Sequence, residues 1–127
     1  MKLFVTVIVG LGGPKGSARH AELTARALSE MDPDYVGALS LMLVPGTELY
    51  AAMEEGRFEC VSREQTLLEL RTMIEQTTMN GLFYANHASN YLPLRARLPR
   101  QRAMALELID DALRGAVRLR PEWSRGL

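Results

Sequence analysis

Two hydrophobic periods alternate along this chain, and the switches between them mark its elements. Residues 3–9, LFVTVIV, form an unbroken apolar and β-branched run, the pattern of a strand covered on both faces. Gly10, Gly12 and Gly13 end it, and Ser17 is placed to cap a helix. Ala18, Ala21, Ala25 and Leu28 then recur at helical spacing until Asp32-Pro33 stops the run near Met31. Residues 35–44 read as a second apolar strand, closed by Pro45-Gly46, and Thr47 caps a short helix reaching Glu55. Ser62 and Gln65 make a capping box ahead of a helix whose Leu67, Leu70, Met73, Ile74 and Thr77 share one face. Asn80-Gly81 breaks that helix, residues 82–85 form a third strand, and 90–98 read as a loop stiffened by Pro93. Pro99 suits the first turn of a last helix, with Met104, Ala105, Leu108, Ile109 and Ala112 as its buried stripe and Gly115 as its cap. The rest of the chain reads as irregular.

The order is therefore βα-βα(α)-βα. Right-handed crossovers place about three parallel strands in one sheet with the helices outside. The expected fold is α/β, a partial (β/α) barrel with a short C-terminal helical extension, in one domain over residues 1–127. Such a sheet has two open edges and an uncovered apolar face, so the chain is expected to pair with a copy of itself or with a partner.

Charge changes this picture little. Fifteen basic and 15 acidic residues cancel, so no overall field favours nucleic acid or anionic lipid. Arginines gather in the C-terminal third, at Arg95, Arg97, Arg100, Arg102, Arg114, Arg118, Arg120 and Arg125, without interleaved aromatic platforms, and read as a solvated helix face. Cys60 is the one cysteine, which excludes an internal disulfide or thiolate cage and suits the reducing cytoplasm. Lys2 ahead of an apolar stretch imitates a secretory leader, but the β-branched residues and early glycines favour a strand, and the stretch is too short to span a bilayer.

Three places could carry chemistry. The loop Gly10 to Ser17 holds the parts of a phosphate cradle, including Lys15 and Ser17, but it breaks both the Walker spacing and the dinucleotide fingerprint. It leaves open a small nucleotide- or phosphate-binding module as one reading, and a structural oligomerisation unit as another. His20 follows one helical turn later, near the same strand end. Asn86-His87-Ala88-Ser89-Asn90-Tyr91 leaves the third strand at its carboxyl end, where Asn86, His87 and Asn90 are candidates to face a substrate cavity. Neither a nucleophile–base pair nor a metal-ligand spacing is present.

The segments VTVIVGLGG, HAELTARAL, DPDYVGALSLMLVPGTELY, NHASNYLPLR and LRPEWSRGL, in that order, resemble the C-terminal half of radical S-adenosylmethionine proteins. The resemblance is to the group akin to oxygen-independent coproporphyrinogen III oxidase-like proteins and Fe–S oxidoreductases. It implies a partial barrel whose other half binds a 4Fe–4S cluster through CxxxCxxC and cleaves S-adenosylmethionine to a radical. It also implies that residues 3–9 are the barrel's fifth strand, which in the family carries G-x-I-x-G-x-x-E beside the adenine. Ile8 and Gly10 match that motif, with Leu11 as neighbour, whereas Thr6 and Gly13 stand in for its first glycine and its glutamate. No CxxxCxxC occurs, so this chain alone is expected to hold no cofactor and to be catalytically silent, its partner being a second copy or a cluster-bearing N-terminal half.

Overall fold

A computed structural model describes residues 1–127 and gives an α/β arrangement in two layers. The strands are β1 (Phe4–Val9), β2 (Tyr35–Ser40), β3 (Gly81–Tyr84) and β4 (Arg95–Leu98). The helices are α1 (Gly13–Met31), α2 (Glu48–Glu54), α3 (Arg63–Gln76) and α4 (Arg102–Leu113), with a short 3-10 turn at Glu122–Ser124. The sheet order is β1-β2-β3-β4. The first three strands are parallel, and β4 runs antiparallel to β3, pairing Leu98 with Gly81 and Arg95 with Tyr84.

The expected all-parallel sheet is thus corrected to a mixed one with a fourth strand. Residues 95–98 were expected in a loop because a four-residue run between two prolines is a weak local signal. Their alternation nevertheless fits a strand: Ala96 and Leu98 are buried while Arg95 and Arg97 are exposed. Strand β2 also ends at Ser40, four residues before the sequence pattern fades: the Leu41 N–H still donates to the Val9 carbonyl at 2.9 Å, and Met42 to Val44 leave the ladder.

Strands β2, β3 and β4 bury alternate residues on one side, and β1 turns Val5, Val7 and Val9 the same way, with only Val9 fully buried. Val9, Val36, Ala38, Phe83, Ala96 and Leu98 join Leu28, Leu67, Leu70, Met73 and Ile109 in one core between sheet and helices. The other side is uncovered. There Phe4 stacks on Tyr35 and Tyr35 on Tyr84, with ring centroids 6.1 and 6.5 Å apart, while the Arg95 guanidinium lies over Tyr84 and Lys2 over Tyr35. Apolarity on both faces of β1 therefore did not mean cover on both: Phe4 and Ile8 are 61 % and 40 % exposed.

Helix α1 begins at Gly13 with Gly12 as its cap and Pro14 in the first turn, so Ser17 lies inside the helix instead of capping it. Its buried stripe is Gly13, Ser17, Ala21, Ala25 and Leu28, one position away from the expected Ala18. The capping box at Ser62 and Gln65 is present, with both reciprocal bonds formed. Arg102 satisfies the carbonyls at the end of α3, donating to Ile74 and Thr77 at 3.0 and 2.7 Å. Pro99 precedes α4 by a turn, and α4 is capped by Gln101 and buries Ala105, Ile109 and Ala112 but exposes Met104. No helix is long and apolar enough to cross a membrane.

Candidate functional site

The parallel strands bring the chemistry-bearing segments to one end of the sheet, as βα units do. At the end of β1, Gly10 takes φ +93°, a conformation that only glycine adopts without strain, and a Cβ there would meet Val61 Cγ2 at 3.0 Å. The chain then turns, the Gly13 N–H donating to the Gly10 carbonyl. A buried carboxylate holds this turn. Glu69 of α3, 1 % exposed, accepts from the Gly10 N–H at 3.0 Å and from the Ser17 hydroxyl at 2.6 Å. Glu69 thus ties β1, α1 and α3 together, and two donors of the supposed phosphate cradle, the Gly10 N–H and the Ser17 hydroxyl, are already bound to an anion. Lys15 stays exposed on the outside of the turn.

His20 is half-buried, and its Nε2–H donates to the Ile8 carbonyl at 3.0 Å, fastening the first turns of α1 to the end of β1. Ile8 itself lies on the uncovered face, and Leu11 is exposed just beyond the strand end. Ile8, Gly10, Leu11 and His20 are therefore brought together.

The segment after β3 divides into three roles. Asn90 is completely buried: its Nδ2 donates to the Ala38 and Ala85 carbonyls, each at 2.8 Å, and its Oδ1 accepts from the Ser40 hydroxyl at 2.7 Å. All its amide groups bond inside the sheet, so it does not face a cavity as expected; it closes the gap where β2 and β3 end. His87 is half-buried. Its Nδ1 accepts from the Ser89 N–H at 3.1 Å and lies 2.9 Å from the Ser89 hydroxyl, which in turn accepts from the Ser40 N–H at 3.1 Å. An Nδ1 that accepts a backbone N–H leaves the neutral ring's proton on Nε2, facing outward. Asn86 is exposed beside it.

The C-terminal tail, expected to be irregular, straps this end of the sheet. Arg120 donates to the His87 and Asn90 carbonyls at 3.1 and 3.3 Å, and the Arg125 side chain, 5 % exposed, donates to the Ser89 carbonyl at 2.7 Å. Two arginines counted as solvated charge therefore bind backbone. Tyr91 sits under the Arg125 guanidinium at 4.0 Å, and burial, together with its hydrogen bond to Glu122, raises the phenol above its ordinary value. A cavity of about 210 Å³ opens at the ends of β1 and β2, between Val9, Leu41, Val61, Tyr91 and Arg125.

No family model, no curated protein and no solved structure matches this chain. The site must be read from its own geometry. Cys60 is exposed, and no group of three or more histidine, cysteine, aspartate or glutamate side chains is placed to hold a metal ion.

Glu69 and the two tail arginines are the residues that sequence reasoning missed. A single glutamate in a polar helix reads as a solvated face, and its partners lie 52 and 59 residues away. The usable signal was indirect: Glu69 falls between Leu67 and Leu70, inside the apolar stripe of its helix.

Proposed function

We propose that this chain is the C-terminal portion of a radical S-adenosylmethionine oxidoreductase-like protein, supplying one wall of a cofactor pocket and of a substrate cavity. In this reading the four-stranded sheet is part of a partial (β/α) barrel and its uncovered face is the lumen. The observation that carries it is the position of Ile8 and Gly10. Both lie where β1 ends, with Ile8 on the side that no helix covers. Ile8 would offer an apolar surface to the adenine, Gly10 and Leu11 the adjoining backbone. His87 and Asn86 would face the substrate, and Asn90 would hold their loop in place.

The 4Fe–4S cluster does not fit the residues of this chain, which brings one thiol where such clusters take several thiolates. A cluster-bearing N-terminal half is therefore the required partner, or a second copy covers the sheet without restoring the chemistry. The cluster and S-adenosylmethionine together supply reductive cleavage to a carbon radical; this chain only binds and orients. The rival phosphate-binding module is weakened by the turn, where Glu69 already engages the Gly10 N–H and the Ser17 hydroxyl.

The test is an amide and methyl NMR titration of the labelled chain with S-adenosylmethionine, and separately with ATP. Half a pocket is expected to bind in the millimolar range, about −4 kcal/mol, with shifts at Ile8, Gly10 and Leu11. Absence of shifts there at ten-millimolar ligand would overturn the reading, as would 5′-deoxyadenosine production by the purified chain. ATP shifts centred on Gly16 and Ser17 and abolished by Lys15→Ala would replace it with the phosphate module.

A further inference from the structure

The cavity at the ends of β1 and β2 lies on the opposite side of β1 from the uncovered face, since Val9 lines it while Ile8 points away. Val9, Leu41 and Val61 are among its apolar lining residues. Beside it lies a guanidinium held by backbone carbonyls and an aromatic ring as well as by one carboxylate. Arg125 Nε donates to the Ser89 carbonyl at 2.7 Å, Nη2 to the Leu41 carbonyl at 3.4 Å, and the guanidinium plane rests on the Tyr91 ring. Nη1 donates to the Tyr91 hydroxyl at 2.6 Å and to Glu122 Oε1 at 2.5 Å.

A buried guanidinium needs an anion. The anion it has is Glu122, a residue of the exposed tail whose own side chain is 68 % exposed. Glu122 binds at two points, Oε1 on Arg125 and Oε2 on the Tyr91 hydroxyl at 2.7 Å. That is a geometry with which a protein can grip a free carboxylate: one guanidinium N–H held in place, a phenol beside it, and a cavity adjoining both. The phenol both donates to the carboxylate and accepts from the arginine, so the two donors orient each other.

We propose that this cavity is a receptor for a short carboxylic acid with an apolar chain, and that the Glu122 carboxylate is its built-in occupant. At the ~30 Å³ that each water claims in the liquid, 210 Å³ has room for about seven heavy atoms, close to the size of a six-carbon acid. The ligand's carboxylate replaces that of Glu122 on Arg125 and Tyr91, and its chain lies against Val9, Leu41 and Val61. Because Glu122 is exposed, its displacement into water costs little burial. It acts as a competitor that keeps the receptor closed to weak anions. The inference does not depend on the radical-enzyme reading, because it uses none of the residues on the uncovered face.

The test uses sodium hexanoate as probe, with hexylamine as the cationic control, followed by calorimetry and methyl NMR. Glu122→Gln keeps a polar side chain but removes the competing charge, and is expected to tighten hexanoate binding at least tenfold over the unaltered chain. Shifts should fall on the Val9, Leu41 and Val61 methyls. Adding Tyr91→Phe to that variant keeps the ring beneath Arg125 and is expected to weaken binding severalfold. Arg125→Lys should abolish it. The proposal is overturned if Glu122→Gln and the unaltered chain bind hexanoate equally, if hexylamine binds as well, or if the shifts lie elsewhere. Should Arg125→Lys loosen the tail and fail to fold, the Glu122 and Tyr91 variants still decide the matter.

Discussion

Asn90 separates a structural reading of the NHASNY segment from a ligand-binding one, and its replacement tests the difference directly. The side chain is 0 % exposed and makes three hydrogen bonds, to Ala38, Ala85 and Ser40. Each buried bond is worth about 1 kcal/mol net, and a carbonyl left dry costs about 1–3 kcal/mol. Asn90→Ala is therefore expected to lose about 3 kcal/mol, and up to about 5 if no water reaches the vacated space. A chain of 127 residues has a total stability of roughly 6–19 kcal/mol, at about 0.05–0.15 per residue. The loss is a large share of that, and with a urea slope of about 2 kcal/mol/M it moves the midpoint down by about 1.5 M.

Asn90→Asp sharpens the test. It is nearly the same shape, but it sets an acceptor against the two carbonyls that now receive the amide N–H groups, and it buries a charge. At neutral pH it is expected to be more harmful than alanine. Its sign with pH is opposite to that of an ordinary paired carboxylate. The introduced carboxyl is neutral below its raised folded pKa and regains one donor, so the deficit shrinks as pH falls through that value. Urea unfolding of the three proteins at pH 7 and pH 4 checks both statements. If Asn90→Ala costs less than about 1 kcal/mol, or Asn90→Asp is the milder change at pH 7, the assignment of Asn90 as the bracket between β2 and β3 is wrong.

Two further predictions concern the helix layer. Glu69→Leu leaves the Gly10 N–H and the Ser17 hydroxyl without an acceptor and is expected to cost about 2–4 kcal/mol; adding Ser17→Ala should recover part of it, and chemical unfolding of the single and double variants measures this. Arg71 donates to Asp110 at 2.7 Å and also binds Glu75, and its hydrogen bond holds the Asp110 carboxyl below its ordinary value. A depressed folded pKa gives stability that is present above the unfolded value, about 3.9, and is lost as pH falls through the folded one. Arg71, raised by the same bonds, stays charged throughout. Asp110→Asn should therefore flatten the decline of the melting temperature below about pH 4, and an unchanged acid limb would refute the pairing's contribution.

Much of the fold was legible because it is local. Periodicity located β1, β2, α1, α3 and α4, and the capping box placed the start of α3 to the residue. What sequence missed is set by partners far along the chain. Strand β4 exists because Ala96 and Leu98 fill the core beside Phe83, and no local preference of Arg-Ala-Arg-Leu outweighs two flanking prolines. Ser17 has the chemistry of a cap, yet its hydroxyl serves Glu69, and Pro14 starts the helix earlier. The candidate site divides along the same line. Loop and strand-end positions follow from topology, so Ile8, Gly10, Leu11, His20, Asn86 and His87 reach one end of the sheet. Which of the polar residues stay free for a ligand depends on bonds such as those that engage Asn90, and sequence carries no record of them.

Those bonds are unevenly spread, and the imbalance bears on function. The core between sheet and helices is apolar, with Glu69 its one buried charge. Most buried side-chain hydrogen bonds lie at the carboxyl ends of the strands, Glu69 on Gly10 and Ser17, Asn90 on Ala38, Ala85 and Ser40, and Ser89 on Ser40, while a smaller set around Thr77 and Arg102 lies at the other end. Hydrogen bonds of this kind add little net stability compared with apolar packing, but they fix atoms in place and penalise alternatives. A fold that needed only to persist would have no reason to concentrate them at one end. The proposed site, which would present Ile8, Gly10 and His87 in a set geometry, would supply such a reason, because a binding group displaced by an ångström loses most of its value. The uncovered face completes the argument. Phe4 and Ile8 remain exposed across from a well-packed core, so on the proposed reading a partner covering that face would meet Ile8 beside the end of β1.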